Sequence, residues 1–178
     1  VHHVLVGYLE QYWERVFIHD SYACRKGKGV HAAVDRLQRF IRQATADGQR
    51  PAWYLQLDIR NYFMRIDKAI LWRLLAPHIA DDDARWLREL LVFHDCTDGH
   101  IVKGAPEEMA RLPAHKSLLR CEPGKGLPIG NLNSQFFANL YPNGLDQFVK
   151  HRLHCRHYIR YCDDFVLLSS DRAELVYW

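Results

Sequence analysis

Between residues 33 and 44 the apolar positions Ala33, Val34, Leu37, Phe40, Ile41 and Ala44 recur at the spacing of one helix face, and Gly48 follows where a helix would stop. The pattern predicts a helix over about 30 to 46. At Trp53 it switches to alternation: Trp53, Leu55, Leu57 and Ile59 share one face, and Tyr54, Gln56 and Asp58 share the other. A strand there delivers a carboxylate at its end. Asp67 is placed to cap a short helix running through Ala76 ahead of Pro77. The run Asp81-Asp82-Asp83 is placed to cap another that carries Trp86, Leu87, Leu90 and Leu91, which assigns those aspartates to capping rather than to metal ligation. Residues 95 to 127 hold Gly99, Gly104, Pro106, Pro113, Pro123, Gly124 and Gly126 and predict a loop-rich insertion or irregular hairpin. Helical spacing resumes from Asn131 to about Arg152 through Leu132, Phe136, Phe137, Leu140, Leu145 and Phe148, with Pro142 expected to kink or break it. Two apolar arms, Tyr158 to Tyr161 and Phe165 to Leu168, flank Cys162-Asp163-Asp164 and predict a β-hairpin with acids at its tip.

The composition adds little to this picture. With 48% hydrophobic residues in 178, the chain can bury a real core and is not a disordered chain. A net charge of +3, from 24 Lys and Arg against 21 Asp and Glu, is too mild to mark a nucleic-acid binder, so charge has to be read locally. Five cysteines without a CxxC pair fit reduced thiols and a cytoplasmic chain. No apolar run approaches the roughly 18 residues that span a bilayer, and no secretory signal opens the chain, so no membrane partner is expected. The apolar pattern already runs at Val1 and the chain stops at Trp178 just past a strand, so both ends read as cuts.

The carboxylates carry the chemistry. Phosphoryl transfer from a nucleoside triphosphate uses two divalent ions roughly 3.5–4 Å apart on hard oxygen ligands, and carboxylates at the ends of adjacent strands suit that task. Asp58 ends the first strand and Asp163-Asp164 sit at the hairpin tip. Each has a plainer use, since an Asp ending a strand caps a following helix and paired aspartates form turns. Two further segments accompany them. Ser21-Tyr22-Ala23-Cys24-Arg25-Lys26-Gly27-Lys28-Gly29 places three cations and two glycines just before a helix, where side chains and backbone amides hold phosphate. Gly126-Leu127-Pro128-Ile129-Gly130-Asn131-Leu132-Asn133-Ser134-Gln135 is a Gly/Pro turn opening a helix, where backbone passes close to something.

In this order, the basic segment, the strand ending in Asp58 with Phe63 five residues on, the glycine turn into a Ser-bearing helix and the Tyr-x-Asp-Asp hairpin resemble the reverse transcriptase family over nearly the whole chain. The resemblance implies an α+β fold: an antiparallel palm sheet backed by helices, with fingers at about 1–50 and 78–125, palm at about 51–77 and 126–178, and no thumb. It implies RNA-directed DNA polymerase activity with two Mg2+ ions, Mn2+ being a substitute, acting on template RNA, a DNA or RNA primer and dNTPs. Ile129 to Gln135 departs from the Gln-Gly-x-x-x-Ser-Pro pattern of most members. It is similar to the form in diversity-generating retroelements, error-prone at template adenines, which adds an accessory protein as a partner.

Position by position, the resemblance assigns Asp58, Asp163 and Asp164 to catalysis and the metals, with Asp58 and Asp163 the more important pair and Ile59 adding a backbone carbonyl. Arg25, Lys26 and Lys28 would meet the triphosphate, and Asn61, Tyr62 and Phe63 the nucleotide, with Phe63 excluding a 2′-hydroxyl. Ile129 and Gly130 would line the nascent pair, and Ser134, Gln135, Tyr161 and Cys162 the template or primer. The alternatives are another bacterial reverse transcriptase (retron, group II intron or defence type) or a non-catalytic RNA-binding fragment, since a chain without a thumb holds template and primer poorly. The cluster His151, His154, Cys155 and His157 lacks the second ligand pair of a structural zinc site and reads as solvated or nucleic-acid-facing.

Overall fold

The computed structural model describes residues 1–76, 81–101, 103, 105, 107 and 111–178. Pro77, Gly104 and Pro106, read above as breakers, lie outside the described residues. Among the described residues, and apart from two short 3-10 turns, the α-helices and strands follow in chain order: α1 (His2–Val16), α2 (Val30–Thr45), β1 (Trp53–Asp58), α3 (Tyr62–Arg65), α4 (Lys68–Leu75), α5 (Asp82–Phe93), α6 (Leu132–Leu140), α7 (Asn143–His151), β2 (His157–Tyr161), β3 (Asp164–Ser169) and α8 (Arg172–Tyr177). They divide into two compact units, Val1–Trp13 with Arg60–Tyr141 and Glu14–Ile59 with Pro142–Trp178.

The second unit is built on an antiparallel sheet of order β1-β3-β2. Because neighbouring strand residues point to opposite faces, the sheet has two cores. On one face Tyr158 and Leu167, with Leu55 and Phe165, pack against Val149 of α7 and Leu175 of α8. On the other, Ile159, Val166 and Leu168 pack against Ala33, Leu37 and Phe40 of α2. Helix α2 matches the expected span, and it ends where Ala46 turns left-handed at φ 49° and its N–H meets the carbonyls of Arg42 and Gln43. Strand β1 ends at Asp58, one residue short of the expected Ile59, and is an edge strand with most side chains exposed.

Buried charge in this unit is paired. Asp20, 4% exposed, binds Arg36 at 2.7 Å and Lys150 at 3.1 Å, with the His19 ring 3.1 Å away. Burial pushes its carboxyl up, but the hydrogen bonds from Arg36 and His19 and the charge of Lys150 outweigh this and hold it below the usual carboxylate range. A carboxyl depressed in the fold adds stability that is complete above its unfolded value near 3.8 and is lost as pH falls through the folded value. Urea midpoints measured from pH 6 down to 2.5 should therefore fall less steeply on the acid side for Asp20→Asn than for the unaltered chain. Equal slopes would show that Asp20 is not part of the acid transition.

In the first unit the expected caps are in place. The Asp67 carboxylate accepts from the backbone N–H groups of Ala69 and Ile70, and Asp81 from that of Ala84, while Asp82 pairs with Arg85. Pro142 does break the long helical pattern, since α6 stops at Leu140 and Pro142 precedes α7. Helix α1 and helix α8 were not anticipated, although Leu5, Leu9 and Trp13 are buried at helical spacing and Asp171 caps α8. Part of the glycine-rich segment is anchored: the N–H groups of Gly126 and Leu127 donate to the carbonyls of Ile66 and Phe63, both at 2.9 Å. Gly126 has φ 92°, and a Cβ there would stand 2.8 Å from Leu118 Cδ1 and 3.0 Å from Cys121 Sγ, so the close approach requires glycine.

Candidate active site

Strand register brings the three aspartates to one end of the sheet. Asp58 is paired with Asp164 across β1 and β3, and Tyr161 is paired with Asp164 across β2 and β3. Directly opposed residues of antiparallel strands share a face, so Asp58, Asp164 and Tyr161 form a row. Asp163 sits in the two-residue loop between Tyr161 and Asp164, and its carbonyl accepts from the Ile59 N–H at 3.3 Å.

Asp164 feels its neighbours. Partial burial, then the charge of Asp163, then that of Asp58 push the Asp164 carboxyl above its ordinary value. Like charges gathered on one exposed edge are what a cation would relieve, and hard carboxylate oxygens are what Mg2+ or Mn2+ takes. Among the described residues no three His, Cys, Asp or Glu side chains are already closed on a common point. The three aspartates supply the oxygen chemistry that such ions take, gathered at one end of the sheet. The adjoining Cys162 thiol is pushed up to about 12, by burial first and then by Asp163, so it is a neutral neighbour of the acids.

The basic segment divides by role. Arg25 is committed to the fold: its guanidinium meets Glu14 at 2.8 Å, donates to the carbonyls of Ile18 at 2.8 Å and Ser21 at 3.0 Å, and is 6% exposed. Lys28 donates to the His19 carbonyl at 2.7 Å and lies over the Tyr22 ring. Lys26 is exposed, with no hydrogen bond or ion pair among the described residues. Of the three expected triphosphate contacts, Lys26 is the one whose charge meets no partner among the described residues.

The remaining expected residues belong to the first unit. Tyr62 is 4% exposed and donates its hydroxyl to the Ala138 carbonyl at 2.6 Å. Ser134 is fully buried. Both are therefore core residues rather than surfaces that meet nucleotide or template. Phe63 is half-buried in a T-shaped contact with Tyr62, Asn61 is half-buried at φ 56°, and Gln135 is half-buried. Ile129 is 70% exposed and Gly130, at φ 103°, has open space where a Cβ would stand. An exposed Ile fills no apolar gap.

Sequence reasoning gave no role to the side chains that hold the acidic hairpin. Arg160, fully buried on β2, forms an ion pair at 2.7 Å with fully buried Asp146 of α7, which also accepts from the Tyr158 hydroxyl at 2.7 Å. A charge at an inward position of an otherwise apolar strand was the available signal, since buried charges are found paired. Elsewhere in this unit the His157 ring lies tilted against Phe40 with centroids 5.1 Å apart, and Cys155 is buried.

All five cysteines carry free thiols. Among the described residues no helix is long and apolar enough to cross a membrane. The family model described as reverse transcriptase (RNA-dependent DNA polymerase) matches residues 1–177. No curated protein matches the chain.

Proposed function

The chain belongs to the reverse transcriptase family, whose members copy a nucleic-acid template from nucleotide substrates, and from that premise we propose that Asp58, Asp163 and Asp164 are its metal-binding catalytic carboxylates. The observation that carries this reading is the in-register pairing of Asp58 with Asp164, whose carboxyl is pushed up by burial, Asp163 and Asp58. Two Mg2+ ions bound there, or Mn2+ in their place, would promote loss of the primer 3′-hydroxyl proton and offset the negative charge of the triphosphate. The 3′-oxygen bonds to the α-phosphorus of the dNTP, the bond to the β-phosphate oxygen breaks, and pyrophosphate leaves.

The chain's own part in this is positioning and charge. The carboxylates fix where hard cations gather, and the Ile59 carbonyl adds an oxygen. Lys26 meets the triphosphate, and Phe63 presses against the sugar where a ribonucleotide would carry its 2′-hydroxyl. Ile129 and Gly130 line the nascent pair, while Gln135, Tyr161 and Cys162 face template or primer. The palm holds the aspartates and the fingers hold Lys26. Extension of a primer annealed to RNA, by the full chain with dNTPs and Mg2+, tests the reading. Absence of any extension by folded chain, at concentrations where the annealed primer and RNA are shown to be bound, would overturn it.

The Ile-Gly-x-x-x-Ser-Gln motif at Ile129 to Gln135 supports a diversity-generating retroelement as the source, with an accessory protein as partner. Where Gln could donate a hydrogen bond near the incoming nucleotide, Ile offers packing alone, so the nucleotide is held less firmly. Ile129→Gln should lower misincorporation opposite template adenine more than opposite the other bases. Sequencing products copied from one RNA by both enzymes checks this, and an unchanged adenine share of errors would remove the retroelement assignment while leaving the polymerase intact. Because Ile129 is 70% exposed, the substitution should leave thermal stability unchanged.

A further inference from the structure

At the tip of the acidic hairpin Cys162 has a positive φ of 57°. A residue with a Cβ persists in that region where its surroundings over-determine it. The surroundings here centre on one side chain. Arg160 Nη1 donates to the Cys162 carbonyl at 2.9 Å. Its Nε donates to both oxygens of Asp146, at 2.8 and 3.0 Å, and its Nη2 donates to Asp146 Oδ2 at 2.7 Å and to Ser21 Oγ at 3.3 Å. The backbone of the same residue is held as well, since the Arg160 N–H donates to the Asp20 carbonyl at 2.9 Å and the Tyr22 N–H donates to the Arg160 carbonyl at 3.0 Å.

We propose that Arg160, fixed by Asp146, is a positioning residue for polymerisation: it sets the Cys162–Asp163 peptide, and so the direction of the Asp163 carboxylate, and fastens that turn to the start of the segment carrying Lys26. The proposal rests on the reading of Asp163 as a catalytic carboxylate. A guanidinium suits this use because its planar donors reach in several directions at once. One edge grips the Asp146 carboxylate while another atom holds a carbonyl on the turn. A lysine keeps the charge but has one compact ammonium on a flexible stem, which cannot span the carboxylate, the carbonyl and the hydroxyl together. A buried ion pair contributes little net stability compared with apolar residues of the same volume, so stability alone gives a weak reason for placing one beneath the turn.

Two variants of the full chain test this, Arg160→Lys and the double variant Asp146→Leu with Arg160→Met, which leaves no unpaired charge. In Arg160→Lys, kcat for primer extension should fall about 100-fold, the loss expected when a reacting group is misplaced by about 1 Å, with KM for the nucleotide little changed. The double variant should melt well above Asp146→Ala, short of the unaltered chain by what the Tyr158 hydroxyl loses with its acceptor, and show the same loss of kcat. Hydrogen exchange, measured without metal, should quicken in both across residues 161–164 while α2 keeps its protection. Wild-type kcat in either variant, or loosening spread evenly through the unit, would overturn the proposal. Asp58→Asn, run alongside, separates the two readings: it should lose extension with exchange at the tip unchanged. An Asp58→Asn chain that still extends primers would instead sink the assignment of the aspartates themselves.

Discussion

Asp58→Asn and Asp163→Asn should each reduce primer extension on RNA by on the order of 10³-fold or more in kcat, equivalent to about 4 kcal/mol of transition-state stabilisation. On the proposed assignment, each would replace a charged oxygen ligand by a neutral amide where the reaction develops negative charge. Asp164→Asn should cost less activity. It should also have an effect opposite in sign on the metal-free protein. The Asp164 carboxyl is pushed up by burial, Asp163 and Asp58, and a carboxyl raised in the fold contributes stability at low pH that is lost as pH rises through the folded value. At neutral pH the charged group therefore strains the metal-free site. In EDTA, Asp164→Asn should melt above the unaltered chain, and added Mg2+ should raise the melting temperature of the unaltered chain more than that of the variant. Extension close to normal in Asp58→Asn, measured at saturating primer and dNTP, would remove the metal-site assignment.

Asp146→Ala should destabilise the protein by about 3–5 kcal/mol, because it leaves the guanidinium of fully buried Arg160 without its counter-charge. The loss is larger than that of a surface pair, where water replaces the missing partner at little cost. Tyr158 adds to it, since its fully buried hydroxyl donates to Asp146 at 2.7 Å and loses that acceptor too. For a chain of this length each kcal/mol moves the midpoint by roughly 2–4 °C, so thermal unfolding should shift by about 10 °C. Removing both charges should restore most of that. A single variant that unfolds at the wild-type temperature would mean that water reaches Arg160 readily, and the pair would then be an exposed one in energetic terms.

Local pattern determined much of this protein. The alternation at Trp53–Asp58 and the two apolar arms around Asp163 predicted three strands that pair as one sheet, and Asp67, Asp81 and Pro142 marked helix boundaries where they occur. Those signals are local: a strand's two faces, a cap's hydrogen bonds and a proline's missing N–H act within a few residues of chain. The aspartates were legible because strand ends and hairpin tips are set by the same short-range rules.

What only the tertiary structure decided is which side chains of each motif are free to act. Arg25, Lys26 and Lys28 are equivalent as letters, yet Glu14, eleven residues before Arg25, takes up that guanidinium and leaves Lys26 exposed. Tyr62 and Ser134 fall within recognisable motifs but are buried, Tyr62 bound to a carbonyl 76 residues away. The register that sets Asp58 opposite Asp164, and the reach of Arg160 to Asp146 and Ser21, join residues distant in the chain. Burial and pairing of a charge depend on which elements pack over it, and no short-range pattern carries that information.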